Sequence, residues 1–130
     1  MKIPIIWLKD YVATDKSPKE LAASFTQLGL MLDKPLGDGS VLDLEHRMDR
    51  SDWLSIIGCA RDLAAFENTP LHLPKVSLKT GKSPDPKYKI QINIQTPVVR
   101  RFQTRLIKGI KVRKSPEWLV ERLRAYGMDS

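Results

Sequence analysis

The stretch "VLDLEHRMDRSDWLSIIGCARDLAAF", residues 41–66, changes its period midway, and that change decides the fold. With Ser40 in front, "SVLDLE" alternates polar and apolar residues, the pattern of a short strand with one buried face. From Trp53 onward the apolar residues fall at Trp53, Ile56, Ile57, Ala60, Leu63 and Ala64, a helical stripe. Asp43, Glu45, His46, Asp49 and Asp52 therefore straddle a strand-to-helix turn. There Asp49 or Ser51 can cap the helix, Asp52 falls in its first turn where the helix dipole favours negative charge, and Arg50 can tie the turn to Asp43 or Glu45.

The competing reading of the same clump is a metal or acid–base site. Neighbours on a strand point to opposite faces, so Glu45 and His46 do not readily share an ion, and no second His or Cys follows at ligand spacing. His46 reads as a polar strand-end residue, and His72 has no partner in the sequence. Cys59, beside Gly58 and Ala60 and far from any His, reads as a small core-facing thiol. Trp7, Trp53 and Trp118 each sit near a helix start, where packing accounts for them. Neither a glycine-rich phosphate loop nor a nucleophile elbow is present. No catalytic, cofactor-binding or metal-ligating residue is expected.

Upstream, "IPIIW" is strand-like, "WLKDYV" suggests a helical turn, and "SPKELAASFTQLGLM" is a helix with marked ends. Ser17 caps it, Pro18 suits the first helical position, Glu20 completes a capping box, and Gly29 takes the left-handed exit. Leu21, Phe25 and Leu28 form its apolar stripe. "SPEWLVERLRAYGM" repeats the device, with Ser115 before and Gly127 after a last helix. Between them Tyr88, Ile90, Ile92 and Ile94 alternate with Lys89, Gln91, Asn93 and Gln95, which predicts a half-buried strand. "RFQTRLIKGIKV" predicts a second strand, bent near Gly109.

These elements make an α+β chain. Residues 1–75 form a helical N-terminal unit in two pieces joined by the connector "DKPLGDGS", 33–40. The Pro-rich stretch 68–86 ends in a linker, 76–86, and residues 87–130 form a strand–strand–helix segment. A chain of 130 residues buries enough surface to fold without staples, and its single cysteine permits no internal disulfide. The start has too short an apolar run for a signal peptide core or a membrane span, so a cytoplasmic location with no membrane contact is expected. Charge is unevenly divided. Residues 1–74 hold 8 Lys/Arg against 11 Asp/Glu, whereas residues 75–114 hold 12 against one. That field attracts an anion, and Arg100, Arg101, Arg105, Lys108, Lys111, Arg113 and Lys114 are the candidates for contact with RNA or with an acidic partner surface.

Three stretches, in order, resemble the beta subunit of bacterial-type phenylalanyl-tRNA synthetase. "MKIPIIWLKDYV…SPKELAASFTQLGL" looks like its N-terminus, "VLDLEHRMDRSDWLSIIGCARDLAAF" like its strand, turn and helix, and "RFQTRLIKGIKVRKSPEWLVERLRAYGM" like the opening of its editing region. Asp49 stands where the family usually has Asn, and either residue can cap. The family also places an oligonucleotide-binding (OB-fold) barrel between the first two stretches, where this chain has only residues 33–40. The expectation is an N-terminal fragment lacking that insert. Its first unit would be a three-helix, winged-helix-like arrangement, and its last segment the start of the editing domain.

The resemblance implies a ligase that joins phenylalanine to its tRNA in translation, using ATP and Mg²⁺, built from two alpha and two beta chains. It implies aminoacylation on the alpha subunit and no catalytic role for any residue here, so this part is structural or accessory. The alternative is a free-standing basic nucleic-acid-binding module; a small hydrolase using the acidic turn ranks behind both. An uncovered strand face would leave the isolated chain prone to self-association.

Overall fold

In a computed structural model, the structure describes residues 1–45, 47–77, 86–88 and 90–128. The expectations placed on His46, on Lys89 and on residues 78–85 of the linker lie outside those residues. Two compact units emerge, one of Met1–Lys75 with Ser115–Ser130, the other of Val76–Lys114. The last helix thus groups with the N-terminal unit instead of with the segment before it.

The first unit is α+β. Strand β1 (Lys2–Pro4) pairs antiparallel with β2 (Val41–Asp43), with Lys2 opposite Asp43, Ile3 opposite Leu42 and Pro4 opposite Val41. Alternation sends Ile3 and Leu42 inward, where both are fully buried. Helix α1 (Ile5–Leu8) is one turn, α2 spans Pro18–Gln27, and α3 spans Ile56–Phe66. Leu8, Leu21, Phe25, Leu63 and Cys59 meet Ile3 and Leu42 in one core, so the expected stripes of α2 and α3 do face inward. Bridges from Val12 to Leu71 and from Leu32 to Leu44 close the connections over it.

The ends of α2 follow the sequence. Glu20 N–H donates to Ser17 Oγ, while Ser17 N–H donates to Glu20 Oε2 at 2.8 Å, closing the capping box. Donation from the Ser17 hydroxyl, at 2.7 Å, and from the Ser17 N–H holds the Glu20 carboxyl below its ordinary range. Gly29 has φ +94, a left-handed conformation that a side chain would strain.

The start of α3 differs from the expectation. Residues Ser51–Leu54 form a separate 3-10 turn, and α3 begins after it with Ser55 as cap, its hydroxyl accepting from Gly58 N–H at 3.0 Å. Neither Asp49 nor Ser51 caps the helix. The reason is steric: the Asp52 carbonyl lies over the first turn of α3, so the chain bends there before the helix can begin, and only a glycine at 58 leaves it room.

Helix α4 (Glu117–Tyr126) ends at Gly127 with φ +93, as the sequence suggests, but its N-terminus is Pro116 with no side-chain cap, so Ser115 does not play the part of Ser17. It docks on the first unit by its far end. The Tyr126 ring meets Trp7 edge-on at 6.3 Å between centroids, and Arg122 pairs with Asp10 at 2.6 Å. Trp118 remains largely exposed instead of packed.

In the second unit, among the described residues of 90–114, no residue is in a strand. Tyr88 closes a 3-10 turn, Pro86–Tyr88, the backbone from residue 90 to 114 is irregular with a turn at Pro97 and Val98, and the apolar side chains of this segment are exposed. A strand needs a backbone ladder to a neighbour, and among the described residues of this unit no ladder forms. Among the described residues no helix is long and apolar enough to cross a membrane.

Candidate nucleic-acid or partner interface

The acidic turn that opens the analysis is a brace of salt bridges. Arg47 Nε and Nη2 donate to the two oxygens of Asp49 at 2.9 and 2.8 Å, and Arg50 does the same to Asp52 at 3.1 and 2.9 Å. Arg50 Nη2 also reaches Asp62 at 2.6 Å, and its guanidinium lies 3.7 Å from the Trp53 ring centroid. Trp53, only 4% exposed, donates its indole N–H to the same Asp62 oxygen at 2.5 Å. One carboxylate on α3 thereby fixes both an arginine and a core tryptophan of the preceding turn.

The electrostatics follow from these forks. Hydrogen bonds from Arg47 hold the Asp49 carboxyl below its ordinary value, and hydrogen bonds from Arg50 do so for Asp52. Both arginines are correspondingly raised, Arg47 mainly by its bonds to Asp49 and Arg50 mainly by those to Asp52. Carboxylates engaged in this way are poor general acids and poor metal ligands. Among the described residues, no group of three His, Cys, Asp or Glu side chains could hold a metal ion. Arg50 braces Asp52 and Asp62, not the Asp43 or Glu45 suggested by the sequence. The spacing Arg-x-Asp occurs twice in succession, at 47–49 and 50–52, and that repeat is the signal that forecasts the two forks.

Cys59 is fully buried in α3, and its thiol donates to the Trp53 carbonyl at 3.5 Å. Burial pushes the thiol up to about 12, so it carries no thiolate at neutral pH and is no nucleophile.

Arg100, Arg101, Arg105, Lys108, Lys111, Arg113 and Lys114 all lie in Val76–Lys114 and are all exposed. The backbone that carries them is irregular, so they are gathered by sequence proximity and not by a shared strand face. Lys108 Nζ sits 3.9 Å from the centroid of Tyr88, joining the two β-patterned stretches across their turn. Lys111, Arg113 and Lys114 follow Gly109, whose φ of +72 turns the chain.

No protein-family model and no solved structure matches the chain. Among curated proteins, it is 35% identical over 104 residues to the phenylalanine–tRNA ligase beta subunit of Clostridium acetobutylicum, an alignment covering 79% of this chain and 13% of that protein. To the beta subunit of Synechococcus sp. (strain JA-2-3B'a(2-13)) it is 39% identical over 114 residues, 87% of this chain and 14% of that one. To that of Rhodopirellula baltica it is 35% identical over 125 residues, 94% of this chain and 18% of the relative. The chain thus spans less than a fifth of the length of these relatives. The resemblance read from the three ordered stretches is borne out: over most of its length this chain is a relative of the phenylalanine–tRNA ligase beta subunit, matching a short part of it.

Proposed function

We propose that this chain serves as part of the beta subunit of a phenylalanine–tRNA ligase, which attaches phenylalanine to its tRNA using ATP and Mg²⁺ in the cytoplasm. The observation that carries this reading is the similarity to beta subunits across 79–94% of the chain in the three alignments above. In this role the chain is non-catalytic. Its acidic turn is occupied by arginine forks and its one thiol is buried and protonated, which supports a structural or accessory part beside a catalytic alpha subunit. The three-helix, winged-helix-like likeness of the first unit and the editing-domain likeness of residues 87–130 belong to the same proposal. Co-expression with the alpha subunit from the same genome tests it. The chain is expected to co-purify with that subunit and to show no aminoacylation alone; elution apart from the alpha subunit at every ionic strength would overturn the reading.

A second reading, a basic nucleic-acid-binding module, is favoured by the excess of cations over residues 75–114. Each phosphate neutralised steepens the dependence of log affinity on log salt by about 0.7–0.9. Labelled tRNA titrated at two salt concentrations decides it. Affinity that falls with salt and is lost on reversing Lys111, Arg113 and Lys114 to Glu supports direct RNA contact. Affinity that is absent at low salt, or that survives the reversal, removes it.

A further inference from the structure

Residues 100–114 hold seven Lys/Arg and no acid, and one aromatic ring lies among them. Phe102 follows Arg100 and Arg101, precedes Arg105, and is 59% exposed. A phenylalanine held in water serves no core, and an apolar protein pocket closing over this one would strip water from the guanidinium groups beside it in the sequence. A second ring of the same unit, Tyr88, is 44% exposed and already has cations against it, Lys108 Nζ at 3.9 Å and Lys87 Nζ at 5.9 Å from its centroid. The described backbone of residues 90–114 contains no helix and no strand, so it presents no regular element of the kind that enters a duplex groove.

We propose that residues 100–114 bind single-stranded nucleic acid, with Phe102 as the ring on which a base stacks and the surrounding lysines and arginines as the phosphate contacts. A single strand supplies a counterpart to both features of the stretch, flat π-faces for the ring and a run of negative charge for the cations. Stacking tolerates any base and requires no groove, which suits a ring carried on irregular backbone. A duplex supplies phosphates alone, since its bases are stacked on one another and their edges are read by helices or strands. Charge by itself favours the duplex, which carries more phosphates for its length, so a preference for the single strand isolates the contribution of the ring. The exposed isoleucines Ile90, Ile92 and Ile94 take no part in this contact. The inference rests on the nucleic-acid reading above and deepens it; the ligase reading stands or falls separately.

The full chain is titrated at low salt with labelled oligouridylate, with oligothymidylate, with a strand of the same length made of abasic sites, and with an RNA duplex of that length. The two strands that carry bases are expected to bind more tightly than the abasic strand and the duplex, and the tighter of them names RNA or DNA as the source. Each phosphate engaged should lower log affinity by about 0.7 for a tenfold rise in salt. Phe102→Leu keeps an apolar side chain without a ring and should weaken the tighter strand about fivefold or more at an unchanged salt slope, whereas Phe102→Trp should bind at least as well as the parent. Reversal of Arg100 and Arg105 to Glu should flatten the salt slope instead. Helical circular dichroism of the first unit reports that the variants are folded. Equal affinity for the abasic strand, tighter binding of the duplex, or a Phe102→Leu variant that binds like the parent would each overturn the proposal and leave the charge-based reading in place. Failure of every probe to bind at low salt would overturn both.

Discussion

Replacing Gly58 with alanine should destabilise the first unit, although helix propensity alone argues the reverse. In a helix interior alanine is favoured over glycine by about 1 kcal/mol. A Cβ built on Gly58, however, falls 1.8 Å from the Asp52 carbonyl oxygen and 2.7 Å from its carbon, while real Cβ atoms essentially never come under 3.0 Å. The obstacle is backbone, so no side-chain rotation relieves it. The carbonyl has to withdraw by more than an ångström, and it belongs to the 3-10 turn that holds Trp53 in the core. Overpacking of this kind costs about 1–3 kcal/mol, and the rigid neighbour places Gly58→Ala at the upper end, about 2–3 kcal/mol net. For a unit of this size that is a loss of roughly 10 °C or more in Tm. Thermal and urea unfolding followed by tryptophan fluorescence measure it, with Gly37→Ala as control because a Cβ there meets nothing within 4 Å. If Gly58→Ala is as stable as the parent, the Asp52 carbonyl does not lie over α3 and the account of where that helix starts is wrong.

Asp62→Ala should cost about 1–3 kcal/mol in urea unfolding, because it leaves the Trp53 indole N–H buried without an acceptor and frees Arg50. Asp49→Ala, which removes only an exposed fork, should change stability much less; equal effects would contradict the ranking. The depressed Asp49 and Asp52 carboxyls make a contribution that is complete above the ordinary aspartate value of 3.8 and fades as pH falls through their lower folded values. The stability gap between the parent and the Asp49→Asn, Asp52→Asn double variant should thus hold constant from neutral pH down to that value and narrow below it. A gap that widens on acidification has the wrong sign. Cys59 should resist iodoacetamide at pH 8 while folded and react once unfolded in urea; prompt labelling of the native chain would contradict its burial.

The local chemistry of the first unit is legible in its sequence wherever one residue decides the outcome. Ser17, Pro18 and Glu20 start α2 because a capping box needs nothing from elsewhere in the chain, and Gly127 stops α4 because a left-handed exit favours glycine. The turn before α3 is less legible. Its acids satisfy capping rules, but two adjacent arginines compete for them, and a bidentate arginine–carboxylate fork outcompetes a single backbone N–H. The start of α3 at Ile56 goes with the path of the Asp52 carbonyl over Gly58, which composition does not encode. For the basic segment, alternation forecasts strands correctly in kind only if a neighbour is present. Period reports what a stretch is suited to and says nothing of whether its partner is at hand. The docking of α4 on β1 and α1 likewise joins residues more than a hundred positions apart, Arg122 to Asp10, beyond any local pattern.

The central claim is that this chain works within a phenylalanine–tRNA ligase. The most direct measurement is the charged fraction of tRNA for phenylalanine in cells from which the chain is depleted, read against tRNAs for other amino acids. The account predicts that phenylalanyl-tRNA falls while the others hold; phenylalanyl-tRNA unchanged after full depletion would contradict it.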